Sequence, residues 1–120
     1  MTPERKRIGN IKRWLELEFP PPGPVRLWVG QMPKEYRDCL GTYHPAEDGQ
    51  PAMIRLAKGQ PISQLIDTLA HEWSHAIVDA DGTGAERLNG GHTISKFYPQ
   101  LGRIEIALQA ALAGVLKTRE

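Results

Sequence analysis

His71, Glu72 and His75 form the pattern His-Glu-x-x-His in the run His71-Glu72-Trp73-Ser74-His75. On a helix, residues four apart are neighbours, so two imidazoles at this spacing can grip one ion while the carboxylate stands beside them. The chemistry of such a set is hydrolysis. Zinc held by protein ligands keeps one position for water, and a nearby glutamate can take the water proton as it attacks a carbonyl. The competing reading is a solvated helical face that carries two histidines and no ion.

These residues must stand on a helix for the pattern to mean anything, and Pro61 to Asp79 has that shape. Pro61 suits a first helical position. Ile62, Leu65, Ile66, Leu69, Trp73, Ala76 and Ile77 recur at the spacing of one apolar face. His71, Glu72, His75 and Thr68 fall on the opposite arc, so the expectation is a helix that packs with one side and presents the motif with the other.

A catalytic zinc needs a third protein donor. His92 is the best candidate, because Gly90-Gly91 lets the chain turn tightly before it and the histidine then opens what reads as a second helix. Asp81 stands six residues after His75, a spacing used where a glycine breaks the helix, but Val78 holds the glycine's place. Glu105 is a third possibility, although 103–116 reads more simply as a packing helix with a solvated glutamate. All three have suitable ligand chemistry.

The run Thr68-Leu69-Ala70-His71-Glu72-Trp73-Ser74-His75-Ala76, followed by Gly91-His92 and an aromatic at Phe97, resembles the SprT-like zinc metallopeptidase family over residues 42–97. The resemblance implies zinc ligands at His71, His75 and His92, a catalytic glutamate at Glu72, and a zincin-like fold in which an edge strand binds extended substrate. Thr93-Ile94-Ser95-Lys96 replaces the family's commoner Pro-containing link between histidine and aromatic. Some members of the family act on proteins attached to DNA, which makes DNA-associated proteins a candidate substrate class.

Around the motif, Leu40 to His44 and Ala52 to Leu56 flank the turn-rich run Pro45-Ala46-Glu47-Asp48-Gly49-Gln50-Pro51 and predict a hairpin. Ile54 and Leu56 alternate with Met53, Arg55 and Ala57, which gives one apolar face. Val25 to Val29 predicts a first strand. Glu4 to Phe19 predicts an amphipathic helix that Pro20-Pro21-Pro22-Gly23-Pro24 must stop. Leu101, Ile104, Leu108, Ala111, Leu112 and Val115 predict a closing helix. Tyr43 and Tyr98 could assist an oxyanion but read more simply as packing residues, and His44 as a surface histidine.

The 120 residues, with 15 Lys and Arg against 14 Asp and Glu, fit one near-neutral domain without global attraction for nucleic acid or membrane. The single cysteine, Cys39, excludes an intrachain disulfide framework and suits a reducing, cytoplasmic setting. No signal peptide and no apolar run long enough for a bilayer are present. The expectation is a small α+β zincin-like domain, with an N-terminal helix and proline break over 1–24, a sheet over 25–60, a metal site over 61–98 and a closing helix over 99–120. Its expected activity is zinc-dependent cleavage of a protein or peptide substrate. Two alternatives stand beside it: a zinc-stabilised binding module without turnover, and a nucleic-acid-binding protein. The second would use Arg5, Lys6, Arg7, Lys12 and Arg13, a cluster that Glu4, Glu16 and Glu18 interrupt, so any DNA binding should be weak and salt-sensitive.

Overall fold

The computed structural model describes residues 3–79 and 97–118. Within them the chain is an α+β domain with three α-helices and a three-stranded mixed sheet, in the order α1 (Pro3–Glu18), β1 (Val25–Gly30), β2 (Gly41–His44), β3 (Ala52–Ala57), α2 (Ile62–Asp79) and α3 (Phe97–Thr118). A single 3-10 turn, Lys34–Tyr36, lies between β1 and β2. No described helix is long and apolar enough to cross a membrane.

The sheet order is β1-β3-β2, with β1 parallel and β2 antiparallel to β3. The predicted hairpin is β2–β3. Its tip is built by Asp48 and Gly49, both at positive φ (49° and 78°), between Glu47 and Gln50, which exchange backbone hydrogen bonds of 3.1 and 2.8 Å. An Asp-Gly pair tolerates this left-handed turn, whose twist matches that of the flanking strands. Along β3 the alternation holds: Ala52, Ile54 and Leu56 are buried, and Met53, Arg55 and Ala57 are half-buried on the other face.

The core lies between that inner sheet face and the helices. Ile54 and Leu56 meet Leu65, Ile66, Leu69 and Trp73 of α2, while Ile8, Ile11 and Leu15 of α1 and Ile104 and Leu108 of α3 complete the cluster. Each fully buried aliphatic side chain contributes about 1.5–3 kcal/mol. The indole of Trp73, with no exposed surface, donates to the Phe19 carbonyl at 2.9 Å. This bond ties the end of α1 to the centre of α2 and fixes the helix's rotation, because a buried N–H without a partner would be costly.

Most element ends lie within a residue of expectation, and the two helix starts are the informative differences. Pro61 precedes α2, and its carbonyl accepts the first helical hydrogen bond, from Leu65 at 2.9 Å. The closing helix starts at Phe97, two residues before Pro99, since proline is accommodated in a first turn whose amides have no helical partner.

Candidate functional site

Both histidines and the glutamate of the motif are on α2, but little of their surface faces solvent. Glu72 and His75 are buried, with 7 % and 6 % exposure, and His71 is half-buried. The expectation of one packed side and one open side is therefore corrected. α3 and β2 both pack on α2, and they do so over the arc that periodicity alone assigns to solvent.

Phe97 is the centre of that cover. It has no exposed surface, and its ring stacks on His75 at 4.4 Å and 28° and meets His71 edge-on at 4.9 Å and 64°. Tyr43 of β2 stacks on His75 at 6.3 Å and 14°, so an aromatic ring from a strand and another from a helix both orient this imidazole. Tyr98 is exposed and its ring meets that of Phe97 edge-on, at 5.3 Å and 78°.

The two imidazoles have their ring centres 5.2 Å apart, with planes at 70°. Two histidines bound to one tetrahedral zinc through bonds of about 2.0–2.1 Å place their ring centres roughly 5 Å apart. The separation of the ring centres matches that of two imidazoles sharing one zinc. Among the described residues, no group of three or more His, Cys, Asp or Glu has metal-holding geometry. Glu105 is exposed on α3, off the face that buries Phe97, Gln100, Ile104 and Leu108. His92 and Asp81 lie outside the described residues.

Beside the motif runs a cleft of about 540 Å³, lined by Cys39 and Leu40 before β2, by Gly41 at its start, and by Gln64, Asp67, Thr68, His71 and Glu72 from α2. Gly41 is needed here for close approach. A Cβ at this position would lie 2.5 Å from Cγ2 of Thr68 and 3.2 Å from the Arg55 carbonyl oxygen. Gln60 staples the same corner: its amide donates to the carbonyls of Leu40 (3.0 Å) and Ala57 (2.7 Å), and its Oε1 accepts from the Thr68 hydroxyl at 3.1 Å. In the three-stranded sheet β2 is an edge strand, and these contacts set it against the helix that carries the motif.

Other residues singled out in the sequence lie elsewhere. His44 is on the outer sheet face, where its Nε2 is 2.9 Å from the Thr42 hydroxyl. Burial, and then the charge of Arg55, lower its pKa below the ordinary histidine value. In the N-terminal cluster, Arg5 donates to the Val29 carbonyl at 3.1 Å, and Lys12 pairs with Glu16 at 3.7 Å, so two of its five cations are engaged within the fold. Gly41, Gln60 and Asp67 received no role from the sequence, because a helix and a strand distant along the chain define their positions.

Comparison with protein-family models, with curated proteins and with solved structures finds no match to this chain.

Proposed function

We propose that this protein is a zinc-dependent metallopeptidase in which His71 and His75 hold the ion and Glu72 is the general base. The observation that carries the reading is the 5.2 Å separation of the two imidazole centres on α2, with the Glu72 carboxylate alongside and a cleft leading to it. His92 is the preferred third ligand. Phe97, whose ring lies on both imidazoles, follows it by five residues, a stretch that spans at most about 18 Å even when fully extended, and that tether supports His92.

When bound, zinc supplies Lewis acidity, which polarises a carbonyl and lowers the pKa of water to about 7. Glu72 accepts the proton of the attacking water and returns it to the leaving amine. Burial suits this role, since few waters compete for the carboxylate and its proton stays close to the reacting atoms. β2, an outer strand among the described residues, would supply backbone donors and acceptors for an extended peptide beside His71 and Glu72. Phe97 and Tyr43 restrict the imidazole planes.

Replacing Glu72 by Gln tests the assignment. Glu72→Gln is expected to keep the fold and about one zinc per chain while losing cleavage of an unfolded protein, because an amide cannot accept the proton. Turnover equal to that of the parent would remove Glu72 from the mechanism, and absence of turnover in the zinc-loaded parent would favour a binding module.

A further inference from the structure

We infer that the cleft beside His71 and Glu72 selects peptides with a cationic side chain about two residues from the bond that is cut, and that Asp67 is the selecting residue. The inference rests on the peptidase reading and deepens it by naming a substrate class. Its basis is the lining of the cleft: among the described residues the ionisable groups there are Cys39, Asp67, His71 and Glu72, without a lysine or arginine. Asp67 is exposed and makes no hydrogen bond or ion pair with another described residue, so its carboxylate is available to a ligand.

The rest of the lining fits a lysine or arginine rather than a small cation. Leu40 is 49 % exposed and offers an apolar surface for a long aliphatic stem, as such side chains prefer. Thr68 uses its hydroxyl internally, donating to the Gln64 carbonyl at 2.8 Å and sharing Gln60 Oε1 at 3.1 Å. Its methyl group is packed against Gly41. The Thr68 hydroxyl is therefore engaged within the fold, and Asp67 is the exposed carboxylate at the rim.

Register follows from two periodicities. Asp67 precedes His71 by four residues on α2, which is about 6 Å along a helix axis. An extended peptide advances about 3.3 Å per residue and repeats its facing side every second residue. The attacked carbonyl would lie at the ion held between His71 and His75, roughly 6–9 Å beyond Asp67 along the axis, so a long side chain two residues from it, extended toward the rim, reaches Asp67. Glu72, buried beside the histidines, is reserved for the proton.

The test uses the full zinc-loaded chain and alanine-based peptides in which one lysine or one glutamate is moved through each position. Exposed ion pairs are weak, so the expected Lys-over-Glu preference in kcat/KM is roughly ten-fold at a single position, combining attraction with repulsion, and it should shrink as salt is raised. Asp67→Lys should reverse it to Glu over Lys, and Asp67→Asn should flatten it. Cleavage with no charge preference, or a preference that survives Asp67→Lys, overturns the inference while leaving the peptidase reading intact. If the parent cuts none of the peptides, the peptidase reading falls and the same set is measured for binding to Glu72→Gln by fluorescence anisotropy. There, tighter Lys-peptide binding reversed by Asp67→Lys sustains Asp67 as the residue that selects cationic peptides and overturns only the cut-site register, and equal binding overturns both.

Discussion

Phe97 offers the sharpest test of how the site is built. The ring is fully buried, lies 4.4 Å from His75 and 4.9 Å from His71, and stands apart from the main apolar cluster. Truncation to alanine removes about 3–5 kcal/mol, a large part of the roughly 5–15 kcal/mol that holds such a domain, so loss of metal in that variant would say little. Phe97→Leu keeps apolar bulk and removes, besides the edge contact with exposed Tyr98, the two ring contacts with the histidines, each worth about 0.5–1.5 kcal/mol. Together they amount to about 1–3 kcal/mol, and the melting temperature of the metal-free protein should fall by several degrees. If the ring also holds the imidazole planes for metal, zinc affinity should drop about 10–100-fold, as it does when groups that orient ligands are removed. Thermal unfolding of metal-free protein and competition with a chromophoric chelator read the two effects separately. A Phe97→Leu protein that melts early yet binds zinc as tightly as the parent would refute the positioning role and leave Phe97 as ordinary packing.

Three further outcomes are expected. Chelation should lower the melting temperature of the parent, by about 2.7 kcal/mol of lost stability if free zinc stood at a hundred times its Kd, and should leave His71→Ala and His75→Ala unmoved; one tightly bound zinc in His92→Ala would shift the third ligand to Asp81. Gly41→Ala should destabilise by about 1–3 kcal/mol through overpacking against Cγ2 of Thr68 at 2.5 Å, and adding Thr68→Ser, which removes that methyl and keeps the hydroxyl, should restore part of the loss in urea unfolding. Because burial and Arg55 hold the His44 pKa down in the folded protein, the unfolded chain binds the extra proton first as pH falls through about 6.5. Stability should be fully present above that pH and decline below it, while His44→Gln flattens the slope and Arg55→Gln raises the His44 titration midpoint read by NMR.

Local pattern alone determined much of this protein. Proline runs stop α1, period-two alternation marks β3 and its apolar face, Asp48-Gly49 turns the hairpin, and the spacing of Leu65, Leu69, Trp73 and Ala76 makes α2 amphipathic. Each of these follows from forces acting within a few residues, so each is written in the sequence. The motif was legible for the same reason, since residues four apart share a helix face wherever the helix packs. What covers that face was not legible. Phe97 and Tyr43 reach the imidazoles from a helix and a strand far along the chain, and the periodicity of α2 carries no record of its neighbours. The parallel pairing of β1 with β3, with β2 carried to the outer edge, was likewise decided by the tertiary structure, because alternation fixes which face of a strand is buried but not which strand it joins. The cleft depends on that choice. Only an edge strand set against α2, with Gly41 on Thr68 and Gln60 stapling the corner, brings Leu40 and Asp67 to the same hollow as His71 and Glu72.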